Sequence, residues 1–318
     1  MRLSLEQSVF ATITYFDHFS YPLTAMELWQ NLLLPMKTTW SLSDVCTCLL
    51  NSALLHKSVE KKDGFFFLKG RSAIISLRLD RNVIADIKYK KARWFVRFIS
   101  ILPFIRLVCV CNSLGFNHAR EESDIDFFIV AQKGSLWFVR FLTTGFAHIL
   151  GQRPTSTHQK DRLCLSFYIS DDSLDLSRLQ LKEHNGFPDV YLPFWILYCV
   201  PLYDERHTFD AFMRENTWVC TLVPNAIFQM SEGRRMVRLT RAEHLFKHLC
   251  ETTLSLVVPL LEESVKRLQL RLLPKRLKEA SAKGDGGVLI EDTILKLHPI
   301  DRREEIRTHV WEQFRSNI

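Results

Sequence analysis

Two runs of apolar residues, Phe104–Cys111 (FIRLVCVC) and the stretch that Asp124-Ile125-Asp126 opens (DIDFFIVA, to Ala131), flank a short polar segment. Runs this rich in β-branched and aromatic residues, without polar alternation, are the pattern of strands covered on both faces. A third run, Arg162–Ser170 (RLCLSFYIS), follows a helical pattern over Leu136–Leu150 that Gly151 and Pro154 stop. The chain therefore reads as α+β, with buried strands interleaved with helices.

Upstream, the spacing predicts a helix over Leu5–His18, with Val9, Ile13 and Phe16 recurring on one side. Thr24 followed by Glu27 is a capping box opening a second helix to about Leu33. Ser41 and Asp44 open a third, to about Leu55. A polar strand over His56–Lys61, the turn Asp63-Gly64 and an aromatic strand over Phe65–Leu68 form a predicted hairpin. Three helices and a hairpin in that order resemble a winged helix-turn-helix. A helical connector spans about Ala73–Ser100 and closes at Pro103. From about Val190 the signals are helical, broken at Gly284-Asp285-Gly286-Gly287, and Asp301 to Glu304 caps a last amphipathic helix. The expected divisions are 1–72, 73–103, 104–180 and 181–318.

With 318 residues, 47% hydrophobic, the chain can bury a large core, and 24% charged residues argue against bulk disorder. The net charge of +7 fits nucleic acid, nucleotide phosphates or solubility alone. The basic clusters Lys88–Arg93 and Lys266–Lys278 read as solvated helix faces. The 8 cysteines show no CxxC spacing, so buried reduced thiols in a cytosolic protein are expected. The first ten residues lack a signal-peptide core, and Pro103, Arg106, Pro193 and Pro201 interrupt the most apolar stretches. No membrane association and a cytoplasmic location are expected.

The chemistry concentrates in Cys111–Val130. Side chains two apart on a strand share a face, so Asp124 and Asp126 project together from the end of the sheet. Like charges held this close repel, and a divalent cation removes that cost. Mg²⁺ suits the pair, because it takes one or two carboxylates plus phosphates and water. The hydroxyl and backbone N–H groups at Ser113, in the turn leaving the first strand, can cradle a triphosphate. A lone D-x-D commonly marks only a strand end, and Ser123-Asp124 also reads as a turn. The context of strand, polar turn, charged spacer and apolar strand gives this one weight.

In that context the segment resembles the signature of the DNA polymerase beta-like nucleotidyltransferase superfamily: G-S, a spacer, then S-D-I-D before an apolar strand. The looser pattern, including Tyr21–Thr24 and Pro201–Asp204, is similar to a bacterial group of nucleotidyltransferase-like proteins. The resemblance implies a small mixed-sheet nucleotidyltransferase core, flanked by an N-terminal winged-helix-like domain and a C-terminal helical region. It implies that Ser113, with Asn112 and Ser123, binds the nucleotide's phosphates, and that Asp124 and Asp126 coordinate two Mg²⁺ ions. The reaction it implies moves an NMP from a nucleoside triphosphate to a hydroxyl acceptor. Two glycines of the family pattern are Asn112 and Asn117 here, and Asn tolerates the left-handed conformation better than other substituted residues. A third carboxylate is expected on a neighbouring strand as general base. On Arg162–Ser170 the matching face carries Cys164, Ser166 and Tyr168 instead, leaving Asp171 and Asp172 just beyond it.

Arg120 and Lys133 are candidate cations for the triphosphate. His244 and His248, spaced i, i+4, read as surface or core residues rather than metal ligands, and Trp137, Phe138, Phe141 and Phe146 as core packing. His118 lies inside the phosphate turn. Two other readings compete: a catalytically impaired nucleotide-binding or regulatory protein, and a winged-helix DNA-binding regulator. The helix Ser41–Leu55 holds no Lys or Arg, which equips it poorly for nucleic acid.

Overall fold

The computed structural model describes residues 2–37, 40–154, 158–228, 233–284 and 287–317. Capping boxes set the first three helix starts. Ser4 opens α1 (Leu5–His18), Thr24 opens α2 (Ala25–Gln30) and Ser41 opens α3 (Leu42–Asn51). The second helix ends early, where the Asn31 amide donates to the Glu27 carbonyl at 2.8 Å. The third is divided. Ser52 adopts an extended backbone and its hydroxyl caps a separate α4 (Ala53–Ser58), so His56 is helical. Strands β1 (Leu23–Thr24), β2 (Val59–Lys62) and β3 (Phe65–Leu68) form an antiparallel sheet in the order β1-β3-β2.

After α5 (Ile74–Ile99) come β4 (Ile105–Val110), the single turn α6 (Asn112–Gly115), β5 (Ile125–Ala131), α7 (Leu136–Ile149) and β6 (Leu163–Ser170). Next are α8 (Tyr191–Leu197), β7 (Val200–Asp204), α9 (Thr208–Glu215), α10 (Arg241–Leu254), α11 (Val258–Leu272) and α12 (Lys275–Lys283). Strands β8 (Val288–Ile290) and β9 (Ile294–Leu297) precede α13 (Arg303–Asn317).

The fold is α+β around a mixed sheet ordered β7-β4-β5-β6-β9-β8, in which β5 and β6 run parallel and the other neighbours antiparallel. The region after Val190 is therefore not wholly helical: β7, β8 and β9 belong to this sheet. They are short, Pro201 interrupts one, and the flanking sequence is strongly helical, so periodicity alone hides them. Of the expected loop at 284–287, Asp285 and Gly286 lie outside the described residues.

Alternate strand residues face opposite layers. Leu107, Cys109, Phe128, Val130, Phe167 and Ile169 pack under α1, α8, α9 and α13. Val108, Val110, Phe127, Ile129 and Tyr168 pack under α5 and α7. Helix α1 shares one continuous core with the sheet, so the N-terminal module is built into the molecule. Among the described residues, no helix is long and apolar enough to cross a membrane.

Candidate functional site

Strand direction brings the chemistry together. Because β5 and β6 are parallel, they begin at the same end, and Asp126 stands opposite Cys164. Strand β4 arrives from the other direction, and the Cys111 N–H donates to the Asp126 carbonyl at 3.2 Å. Strand β9 is antiparallel to β6, so its last residues emerge here too and place His298 beside the group. Asn112, Ser113, Ser123, Asp124, Asp126 and His298 all line one cleft of about 820 Å³. Phe16 and Phe19 of α1 form part of one wall.

Burial, and then the charge of Asp126, push the Asp124 carboxyl up to about 6. Both carboxylates are half-buried and near enough to repel, the condition a cation relieves. The His298 imidazole Nε2 lies 3.8 Å from Asp126 Oδ1 and 2.6 Å from Ser166 Oγ. The Cys164 thiol donates to Ser166 Oγ at 3.3 Å, and burial pushes that thiol well up. One ligand atom each from Asp126, Cys164 and His298 lies within 4.8 Å of the others.

The positions of the turn after β4 behave as their residue types allow. Asn112 and Asn117 both take left-handed backbone conformations, at φ 55° and 52°. Their side chains are engaged: Asn112 Oδ1 accepts from the Tyr191 hydroxyl at 3.2 Å, and Asn117 Oδ1 from Arg235 at 3.0 Å. Ser123 is a turn former whose hydroxyl donates to the Arg120 carbonyl at 2.8 Å. That hydroxyl supports the loop, and Ser113 is the better placed of the two serines, on the turn itself.

Gly115 closes α6 against α8. A Cβ there would stand 2.1 Å from the Tyr198 carbonyl oxygen, a backbone atom that cannot swing aside. Gly115→Ala is expected to cost about 3 kcal/mol through overpacking, and to lower Tm by roughly 5 °C. Scanning calorimetry checks this, and an unchanged Tm would show that α6 is not pinned by α8.

Lys88 differs from its expected place on a solvated face. It lies on the buried side of α5 with Ala85, Tyr89 and Ala92. Its ammonium donates to the Ser123 carbonyl at 2.7 Å, the Glu121 carbonyl at 3.1 Å and Asp161 at 2.6 Å. It thereby fixes the spacer directly before Asp124. In the second basic cluster Arg267, Arg271, Lys275 and Lys278 are exposed as expected.

Asp171 and Asp172 do not approach Asp124 and Asp126. They follow the opposite end of β6, a strand length of roughly 20 Å away. There Asp171 accepts from the Lys133 backbone and Asp172 pairs with the Lys133 ammonium, so Lys133 is distant as well. Arg120 does line the cleft, as do Arg81, Lys296 and Arg302. His244 and His248 are exposed on α10. Trp137 is buried, and Phe141 of the same aromatic stripe is exposed. His118 is buried, accepts from Arg81 at 2.6 Å, and is pushed down to about 4 by burial and that guanidinium. It braces the turn.

Sequence reasoning does not reach His298 or Lys296. The available signal is the alternation Ile294-Leu295-Lys296-Leu297, a strand pattern with the imidazole at its end. None of the protein-family models, curated proteins and solved structures compared with this chain matches it.

Proposed function

We propose that this chain is a Mg²⁺-dependent nucleotidyltransferase on the polymerase beta-like plan, moving an NMP from a nucleoside triphosphate to a hydroxyl acceptor. The observation that carries the reading is the half-buried Asp124/Asp126 pair at a sheet end, sharing a cleft with Ser113. Two neighbouring half-buried carboxylates, in a space that admits a nucleotide, fit a hard cation with phosphate and water as its other ligands. Support also comes from the mixed sheet, and from the N-terminal order α1, β1, α2, α3, α4, β2, β3, which resembles a winged helix with its third helix divided.

The chemistry is an acceptor oxygen forming a bond to the α-phosphorus while the bond to the β-phosphate oxygen breaks and pyrophosphate leaves. Bound cations would offset the charge that grows on the attacking and leaving oxygens. The chain's own part is placement. Lys88 holds the loop that presents Asp124, Asn112 and Asn117 shape the turn that presents Ser113, and Arg120, Lys296 and Arg302 give positive charge around the cleft.

A second reading, nucleotide binding without turnover, is favoured by one observation. The β6 residue facing Asp126 is Cys164, with Ser166 next on that strand side; Asp161, just before β6, is paired with Lys88, and Asp171 and Asp172 lie at the far end. DNA binding is not favoured. The exposed residues of α3 are Ser43, Thr47, Leu50 and Asn51, which include no cation.

Thermal shift with ATP, CTP, GTP and UTP, with and without Mg²⁺, tests the reading. Stabilisation is expected only with Mg²⁺, reaching about 2.7 kcal/mol at a hundredfold excess over Kd. A flat response to all four nucleotides overturns it. Pyrophosphate release then separates transfer from binding alone.

A further inference from the structure

The position opposite Asp126 is a thiol, and the next strand over supplies an imidazole. That changes which ion the site prefers. Oxygen ligands alone suit Mg²⁺, whereas a set of one carboxylate, one thiolate and one imidazole suits Zn²⁺ and its neighbours. Asp126, Cys164 and His298 come from three adjacent strands, and their nearest ligand atoms lie within 4.8 Å of one another. Bond lengths of about 2.0–2.3 Å set ligand atoms roughly 3.3–3.8 Å apart in a tetrahedral zinc site. His298 Nε2 and Asp126 Oδ1, at 3.8 Å, already meet that spacing. A contraction of about 1 Å by side-chain rotation brings in the thiol.

Resting on the reading of Asp124 and Asp126 as a nucleotide-metal pair, we propose that Asp126, Cys164 and His298 form a binding site for a zinc-class divalent cation. The site takes the place that a third carboxylate would give to a second magnesium ion. Asp126 is then shared: one side serves the magnesium that Asp124 helps hold, the other serves the softer ion. Three protein ligands leave a fourth position open toward the cleft, the arrangement of a zinc site that binds and activates an oxygen ligand. Ser166 Oγ lies 2.6 Å from the same Nε2, a hydrogen bond that an ion ligated by that nitrogen would replace. Among the described residues this is the one such cluster of three ligand types. His244 and His248 stand exposed on α10, outside it.

Cobalt titration of the full-length chain tests the site, because thiolate ligation gives Co²⁺ an intense near-ultraviolet charge-transfer band that oxygen ligands do not. One equivalent of Co²⁺ is expected to produce that band, and Zn²⁺ to abolish it. Cys164→Ser removes the band. The double variant Cys46→Ser/Cys48→Ser, which changes the partly exposed thiols of α3, leaves it intact. His298→Ala, at a residue 39% exposed and no threat to folding, weakens Co²⁺ binding by roughly 100-fold. A band that survives Cys164→Ser, the lack of any band, or Co²⁺ affinity unchanged in His298→Ala overturns the proposal. None of those results bears on the Mg²⁺-dependent nucleotide shift, which is measured separately on the same protein. A nucleotide shift retained without a cobalt band removes the zinc-class site alone. A cobalt band without a nucleotide shift removes the magnesium pair, and with it the shared role of Asp126.

Discussion

Asp124→Asn is expected to abolish Mg²⁺-dependent stabilisation by nucleotide and, at the same time, to raise the Tm of the metal-free protein. The two effects have one cause. Burial and the Asp126 charge lift the Asp124 carboxyl from 3.8 to about 6, so its ionised form is held at a cost in the fold. The folded chain binds that proton more tightly than the unfolded chain does, so metal-free stability falls as pH rises from about 4 through 6. A tenfold difference in proton affinity between the two states is worth about 1.4 kcal/mol. Partial exposure screens the effect, leaving about 1–2 kcal/mol at neutral pH. Asparagine is neutral at every pH, so the variant gains about that much, roughly 2–3 °C in Tm, and its stability lacks this pH limb. Magnesium binding loses a charged ligand, and the nucleotide shift disappears. Calorimetry with and without Mg²⁺ and nucleotide reads both signs. A variant that responds to Mg²⁺ and nucleotide as the wild type does would remove Asp124 from the site.

The second large effect lies at the other end of the sheet. Arg106 of β4 is buried and donates to Glu251 of α10 at 2.8 Å and to Glu205 at 3.1 Å. Lys247 is buried beside it, donating to Glu205 at 2.6 Å, the Ile105 carbonyl at 2.7 Å and the Tyr203 hydroxyl at 2.8 Å. Two cations balance two anions, and Glu251 also accepts from the Phe104 N–H at 2.7 Å. Glu251→Ala leaves the buried Arg106 and Lys247 sharing the single carboxylate of Glu205, with an expected loss of about 3–5 kcal/mol, or roughly 5–7 °C in Tm. Removing both partners of the Arg106–Glu251 pair, as Arg106→Met with Glu251→Leu, is expected to recover most of that loss. Urea titration of the single and double variants checks it. A double variant no more stable than Glu251→Ala alone would show that the excess buried positive charge is not the source of the loss. Arg106 opens β4 and the cleft lies past its other end, so nucleotide binding in the folded fraction is expected to persist.

How far the chain can be read in advance follows from where information is local. The ends of α1, β3 and β6 are legible because capping residues, a hairpin turn and unbroken apolar runs are local signals. The placement of Asp124 and Asp126 at one sheet end is legible because period-two alternation needs only adjacent residues. Strands β7, β8 and β9 are not legible. Each is at most five residues long, and each is defined by a partner far along the chain or by a strand that has one. His298 is hidden with them, since a histidine in an unassigned segment has no address. The direction of β6 matters as much. Parallel pairing with β5 puts Cys164 at the site and sends Asp171 to the far end, and one strand's residues do not encode its direction relative to a neighbour. Lys88 is easily mistaken for a solvated residue because it opens a basic cluster, although its helical spacing to Ala85 and Ala92 places it on the apolar side.

The shared core of α1 and α13, where Phe10 meets Phe314 with ring centroids 6.4 Å apart, has a consequence for synthesis. Helix α1 walls the cleft, and most of the elements separate it from β9 and His298. A ribosome emitting this chain in order leaves the Phe10 side of α1 without its α13 partner until that helix has emerged. The cleft closes as the final helix docks, and a nascent chain halted before β9 carries both aspartates with no enclosed space for a ligand.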